Sequence, residues 1–275
     1  MLGVLLTSTC YYPGIQKNVY VDRIDELVRS ILSLKLHIKT PYELMILDNS
    51  PPDHIPTENI LKVCPPNTRF IRNTSNPGKS LGEAAMIRDG LSMSYAQGHK
   101  WLLKLTGRYY LEGDWSIEKA IEELEKKRKH IYVHLVGNSM KEMSYAKWHP
   151  LYSENLDNDK MLMGVTPGAF IIDPEYAIQK KIFKKEFLHK TYHGLNFEQL
   201  FWHAIKDCEW AYWPELPIDG FLENRWLNMS LKKMLHKSKK PVFGSMEKKK
   251  EFEAINISPL LTTKGQPSCI PKQYI

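Results

Sequence analysis

An α/β fold with a mostly parallel central sheet flanked by helices is what the sequence predicts, and two observations predict it. Short apolar runs alternate with stretches of helical period through the first 130 residues. The composition, 43% hydrophobic with seven Trp and fourteen Tyr in 275 residues, is enough to bury a full core on both faces of such a sheet.

Each element follows from its local pattern. Leu2–Thr9 is an apolar run closing in hydroxyls and reads as the first strand. Asn18–Leu34 is a helix, because Ile24, Leu27, Val28, Ile31 and Leu32 recur at helical spacing. Tyr42–Ser50 is a second buried strand ending at Asp48, and the proline pair after it stops regular structure. Thr68–Asn73 reads as a third strand. Ser80–Gly98 is a helix with Ser80 as cap, Glu83 three residues on and Gly98 closing it. The run HKWLLKLTGRYYLEGDW, His99–Trp115, opens as a fourth strand, and Asp114 is expected to cap a helix reaching Lys129.

The second half is less regular. His130–Gly137 and Gly168–Asp173 read as strands separated by a polar segment, Asn138–Lys160. Asn196–Asp207 reads as a helix, Glu209–Asp219 as an extended crossing, and Arg225–Lys240 as a further helix. The expected organisation is one domain over 1–228, with halves 1–130 and 131–228, followed by a basic C-terminal helical extension over 229–275.

Charge and cysteine usage narrow the function classes. The net charge of +7 gathers late, in Ser230–Lys240 and Glu247–Phe252, and fits an anionic partner. No nucleic-acid recognition module is legible, so no nucleic-acid partner is expected. In 231–240, Leu231, Met234 and Leu235 lie on helical spacing among lysines, a pattern that suits peripheral contact with an anionic membrane or an ordinary solvated face. Cys10, Cys64, Cys208 and Cys269 lack metal-ligand spacing, so reduced thiols and no metal are expected. The first residues lack a basic n-region, and no run approaches a membrane span; the expectation is a soluble, cytoplasmic protein, with contact at the inner face of a membrane left open.

In an open parallel sheet, ligands bind beyond the carboxyl ends of the strands. Three such ends are polar here: Thr7, Ser8 and Thr9; Asp48, Asn49 and Ser50; and Lys104 to Arg108. Together with NPGKSLGEA, Asn76–Ala84, this order resembles the nucleotide-sugar half of family-2-like glycosyltransferases of the GT-A fold, over Leu2–Asp219.

The resemblance implies a set of roles. LDNS places Asp48 where a carboxylate accepts a hydrogen bond from the nucleotide base, with ordinary turn chemistry as the alternative for Asp48 and Ser50. Asn76, Gly78, Lys79 and Glu83 fall beside the donor, and Walker-type spacing is absent there. The family's Asp-x-Asp metal motif falls on Thr106 and Arg108, a departure that implies metal-independent chemistry with no cofactor. Lys104, Thr106 and Arg108 are then expected on one strand face, with Arg108 stabilising the leaving diphosphate. A solvated or structural Arg108 and a displaced metal pair at Glu112 and Asp114 are the alternatives. Glu198 falls at the family's catalytic base, in place of an acidic pair, with a role at its helix N-terminus as the alternative. Asp173 and His193 are reserves on the acceptor side, and Gly168 and Ala169 are expected to leave room for the sugar. Trp148, His149, Trp202, Trp210 and Trp213 offer aromatic faces for an acceptor or are core.

The function implied is inverting transfer of a sugar from a nucleotide-sugar donor to a glycan or lipid-linked acceptor in surface polysaccharide or glycan synthesis. The alternatives are an inactive carbohydrate- or nucleotide-binding protein on the same scaffold, and a nucleotidyltransferase.

Overall fold

The computed structural model describes residues 1–11, 17–51, 54–72, 79–111, 116–139, 161–183, 197–213 and 218–220. Asn76, Gly78, Glu112, Asp114, Trp148, His149, His193 and the basic extension fall outside the described residues, as does the side chain of Lys79.

Nine strands and six helices are described. In chain order they are β1 Leu2–Ser8, α1 Lys17–His37, β2 Tyr42–Asp48, α2 Thr57–Val63, β3 Arg69–Arg72, α3 Lys79–Ala96, β4 Trp101–Thr106, β5 Tyr109–Leu111, α4 Ile117–Lys127, β6 Ile131–Ser139, β7 Met161–Ile172, α5 Pro174–Gln179, α6 Phe197–Ile205, β8 Trp210–Tyr212 and β9 Ile218–Gly220. A seven-stranded sheet has the order β3-β2-β1-β4-β7-β6-β8, and β5 pairs with β9 in a small second sheet. The β1–β2, β2–β3, β1–β4 and β6–β8 pairs are parallel. β7 is antiparallel to both β4 and β6, so β7 alone runs against the rest and the sheet is mostly parallel.

Strand alternation builds two core layers. Leu2, Val4 and Leu6 of β1 join Leu44, Ile46, Leu103 and Leu105 under α1, whose Ile24, Leu27, Val28, Ile31 and Leu34 complete that layer. Leu5, Met45, Leu47 and Leu102 face the opposite way and meet Met86, Ile87 and Leu91 of α3 and Phe197, Leu200 and Phe201 of α6. Burial on both faces explains why these strands read as unbroken apolar runs rather than alternating ones.

Two expectations change. α4 begins at Ile117, and its cap is Ser116, whose Oγ accepts from the Lys119 N–H at 3.3 Å; Asp114 is not the cap. Glu118 adds to this start by accepting the Thr40 N–H at 2.8 Å and the Ser116 hydroxyl at 2.6 Å, which ties the helix to the end of α1. β7 also starts earlier than Gly168. It carries Pro167 through a register shift, in which Val133 of β6 opposes Phe170 while Leu135 opposes Val165. A bulge is where a strand tolerates proline, so a sequence pattern that treats Pro-Gly as a break misses the first half of β7.

Among the described residues no helix is long and apolar enough to cross a membrane. The Ser116 assignment carries a stability prediction. Ser116→Ala lowers the unfolding free energy by about 1 kcal/mol, seen as a lower urea midpoint with an unchanged slope.

Candidate functional site

The strand order marks the site. From β1 the chain steps outward to β2 and β3, then returns to the other side of β1 with β4. The carboxyl ends of β1 and β4 therefore flank the point where the order reverses, the place at which parallel α/β sheets leave a crevice. Thr7 and Thr106 are register partners across it. The Gly107 N–H donates to the Thr7 carbonyl at 2.8 Å. A Cβ on Gly107 would stand 2.9 Å from Leu27 Cδ1 and 3.2 Å from Ser8 Cβ, so the turn after β4 passes this close because residue 107 has no side chain.

On the β4 side, Lys104 is fully buried. Its ammonium has three donors and finds three acceptors: Glu83 Oε1 at 2.7 Å, Thr106 Oγ1 at 2.6 Å and the Pro167 carbonyl. Thr106 in turn donates to Glu83 Oε1 at 3.0 Å. The bulge in β7 is what turns the Pro167 carbonyl out of the ladder toward Lys104. Burial pulls the Lys104 ammonium below the usual lysine range, and the Glu83 charge and hydrogen bond oppose that shift. Lys104 and Thr106 share a face, as the period of two requires. Lys104 is nevertheless not poised for a diphosphate, because its donors are already used within the protein. Its place is structural: it holds α3, β4 and β7 together at the edge of the crevice.

On the β2 side, Asp48 is equally buried. It accepts from the Ser8 hydroxyl and from the Ser50 N–H at 2.7 Å. Both carboxylate oxygens are thereby engaged within the protein. Burial pushes the carboxyl above the usual range, and the hydrogen bonds from Ser50 and Ser8 pull it back. The Tyr11 N–H donates to Ser50 Oγ at 2.9 Å, and the Tyr11 ring stacks on His54 with centroids 3.8 Å apart. Asp48 and Ser8 thus knit the two loops together, and base contact by Asp48 would need this set of bonds to open. Thr9 offers its carbonyl to Arg23 Nη1 at 2.6 Å.

Two buried polar groups at the crevice, Thr7 Oγ1 and Asn49 Oδ1, have no hydrogen-bond partner among the described residues. Arg108 sits half-buried in the turn between β4 and β5, beyond the end of the strand, so strand alternation does not extend to it. Glu198 is in the first turn of α6, which packs on β7.

Sequence reasoning missed the residue on which these groups converge. Burial pushes the Tyr109 phenol well above its usual range; Glu83 adds to that shift, Arg108 opposes it, and Glu26 and Glu198 add again. Glu83, Arg108, Glu26 and Glu198, from three helices and a turn, thus all bear on the ionisation of this phenol. An aromatic three residues past a strand is indistinguishable in sequence from core, and nothing local signals it.

Two acceptor-side candidates take these positions. At Gly168 a Cβ would stand 3.1 Å from Ile218 Cδ1 and 3.3 Å from Tyr109 Cε2, so those side chains pack closely against residue 168. Asp173 lies at the opposite end of the strands, just past Ile172, which pairs with Leu102 near the start of β4 and with Ile131 at the start of β6. It caps α5 through the Tyr176 N–H at 3.1 Å and pairs with His130 Nδ1 at 2.9 Å. Trp213 is core, stacked on Tyr132 at 5.0 Å, and Trp202 packs edge-on against Trp210 at 5.4 Å.

Among the described residues no group of three or more His, Cys, Asp or Glu is placed to hold a metal ion, and Glu83, beside the end of β4, is paired with the Lys104 ammonium.

No protein-family model matches the chain, and no curated protein matches it. Solved structures similar to it include S. aureus TarS, residues 1–349, at TM-score 0.48 and 12% identity, covering 79% of this chain and 59% of that one. CMP:2-keto-3-deoxy-manno-octonic acid synthetase complexed with CTP is similar at TM-score 0.47 and 8% identity, covering 86% and 99%. The galactosyltransferase LgtC in complex with donor and acceptor sugar analogs is similar at TM-score 0.45 and 10% identity, covering 76% and 72%.

Two stability predictions follow from the buried charges. Glu83→Leu strands the ammonium and lowers the unfolding free energy by about 3–5 kcal/mol, whereas the double variant Lys104→Met with Glu83→Leu recovers most of the loss; urea titrations of both variants check this. For Asp48 the folded pKa is raised, so ionisation weakens the fold. That penalty is absent below the unfolded value of about 3.9, grows as pH rises toward the raised value, and is complete above it. The stability of the wild type relative to Asp48→Asn accordingly falls as pH rises from 3.5 to 7, and a difference independent of pH would contradict the raised value.

Proposed function

We propose that this chain is a glycosyltransferase that moves a sugar from a nucleotide-sugar donor to a glycan or lipid-linked acceptor, with inversion and without a metal, in surface polysaccharide or glycan synthesis. One observation carries the reading. Unsatisfied or half-buried polar groups gather at the reversal point between β1 and β4, while the groups behind them are saturated. A crevice built this way suits a ligand with many hydrogen-bonding positions and a negative charge.

The chemistry divides among the chain's own residues. Thr7 and Asn49 offer hydrogen bonds at the nucleotide end. Arg108 lies where the diphosphate leaves, and its guanidinium can hold phosphate oxygens in a forked pair of hydrogen bonds. As the bond from the anomeric carbon to the phosphate oxygen breaks, its electron pair passes to that oxygen, where a preorganised cation stabilises the charge. Glu198 accepts the proton of the acceptor hydroxyl as that oxygen bonds to the anomeric carbon from the opposite face. The Lys104 and Asp48 clusters keep these groups in place. The basic stretch 231–240, outside the described residues, is the sequence basis for a lipid-linked acceptor and for work at the inner face of a membrane.

The test is hydrolysis and transfer with UDP-, GDP-, dTDP- and CMP-sugars in Mn²⁺, Mg²⁺ or EDTA. Turnover that survives EDTA and drops roughly 10²- to 10³-fold in Arg108→Ala is the expected outcome. Turnover that needs a metal moves the diphosphate site to Glu112 and Asp114. Binding of a nucleotide-sugar with no turnover under any condition identifies an inactive binding protein, and synthesis of a nucleotide-sugar from a nucleoside triphosphate identifies a nucleotidyltransferase.

A further inference from the structure

The roles above account for the nucleotide, the diphosphate and the acceptor, and leave the transferred sugar unread. Two groups stand beside the crevice without a role. Glu83 gives one carboxylate oxygen, Oε1, to Lys104 and Thr106 at 2.7 and 3.0 Å. Its second oxygen makes no hydrogen bond among the described residues, and its side chain is 18% exposed. Among the described residues the carboxylate is thus held at one oxygen and unpaired at the other.

Tyr109 adjoins this cluster through a single peptide. The Pro167 carbonyl accepts from Lys104, and the next residue, Gly168, backs the Tyr109 ring at 3.3 Å from a Cβ position. The backbone of β5 is pinned to α1 at the same place. The Ser30 hydroxyl donates to the Tyr109 carbonyl, and the Leu111 N–H donates to Ser33 Oγ at 3.0 Å. The Tyr109 hydroxyl has no hydrogen-bond partner among the described residues. Of the charges acting on it, Glu83 is the strongest. Its raised pKa keeps it a proton donor throughout the physiological range.

We infer that Glu83 and Tyr109 together read a hydroxyl group of the transferred sugar, the carboxylate accepting the hydroxyl proton and the phenol donating to the hydroxyl oxygen. Lys104 and Thr106 are positioning residues that fix the carboxylate. This rests on the transferase reading above. The pairing selects the ligand's chemistry. A phosphate oxygen is an acceptor only, so it finds no donor in the remaining carboxylate oxygen of Glu83. A cation meets a carboxylate already neutralised by Lys104. A neutral hydroxyl both donates and accepts, and it satisfies the two side chains at once. A donor lacking that hydroxyl leaves a carboxylate and a phenol unpaired, which is the strongest form of discrimination a hydrogen-bonding site has.

Calorimetric titration of wild type, Tyr109→Phe and Glu83→Gln tests the inference. The ligands are the preferred nucleotide-sugar, its nucleoside diphosphate, and donor analogues with each sugar hydroxyl in turn replaced by hydrogen. Tyr109→Phe removes only a hydroxyl and leaves the ring packing. It should weaken the nucleotide-sugar about tenfold and leave the nucleoside diphosphate unchanged. Glu83→Gln should show the same sugar-dependent loss. One deoxy donor should bind wild type about tenfold more weakly than the parent and lose nothing further in Tyr109→Phe. Equal weakening of nucleotide-sugar and nucleoside diphosphate, or no weakening of either, overturns the inference while leaving the transferase reading intact. A wild type that binds neither ligand overturns the transferase reading, and the inference with it.

Discussion

A buried ammonium with three acceptors sets the terms for one side of this molecule. Removing a charge from water costs several kcal/mol even after the protein relaxes, and the cost is offset only if each donor is met with good geometry. Lys104 achieves this by drawing on three separate elements: Glu83 from α3, Thr106 from its own strand and the Pro167 carbonyl from β7. Because the ammonium tolerates no vacancy, it fixes how far α3 may slide over β4 and where the β7 bulge must fall. Phe170, its register neighbour, closes the apolar side, with its ring centroid 6.0 Å from the ammonium and Phe201 edge-on behind it.

Asp48 does the same work across the crevice with the opposite sign. It joins the loops after β1 and β2, as Lys104 joins the end of β4 to α3 and β7. A rigid frame made of saturated charges on either side of a reversal point leaves the groups between them free to meet a ligand without first rearranging. That is the physical meaning of preorganisation here, and it explains why the most conspicuous polar side chains of the strand ends are the least available ones.

Much of the fold was legible in the sequence. Apolar runs buried on both faces gave β1 and β2 to within two residues, the helical spacing of Ile24, Leu27, Val28 and Ile31 gave α1 to within three, and β4 was placed without its end. The misses have local causes. Ser116 competes with Asp114 for one cap, and only the backbone at the start of α4 decides between them. Pro167 and Gly168 look like a break because a bulge cannot be told from a turn without its partner strand. The site was legible by position and less so by role. The period of two put Lys104 and Thr106 on one face correctly, but burial and saturation depend on Glu83 and Pro167, which lie 21 and 63 residues away. Asp173 was misplaced because a strand's direction, and so which end carries the site, is invisible until its neighbours are known. Tyr109 had no signature at all, since its significance comes from residues that meet only in three dimensions.

The Lys104 cluster also constrains how this sequence can drift. Loss of Glu83 strands a cation, loss of Lys104 leaves Glu83 without its partner, and loss of the Thr106 hydroxyl removes a bond from each. Each single exchange passes through a poor intermediate, whereas a joint exchange to apolar residues does not. Positions 83, 104 and 106 should therefore vary together or not at all among descendants of this chain, and a homologue in which all three are apolar will have surrendered the open carboxylate oxygen along with the buried charge.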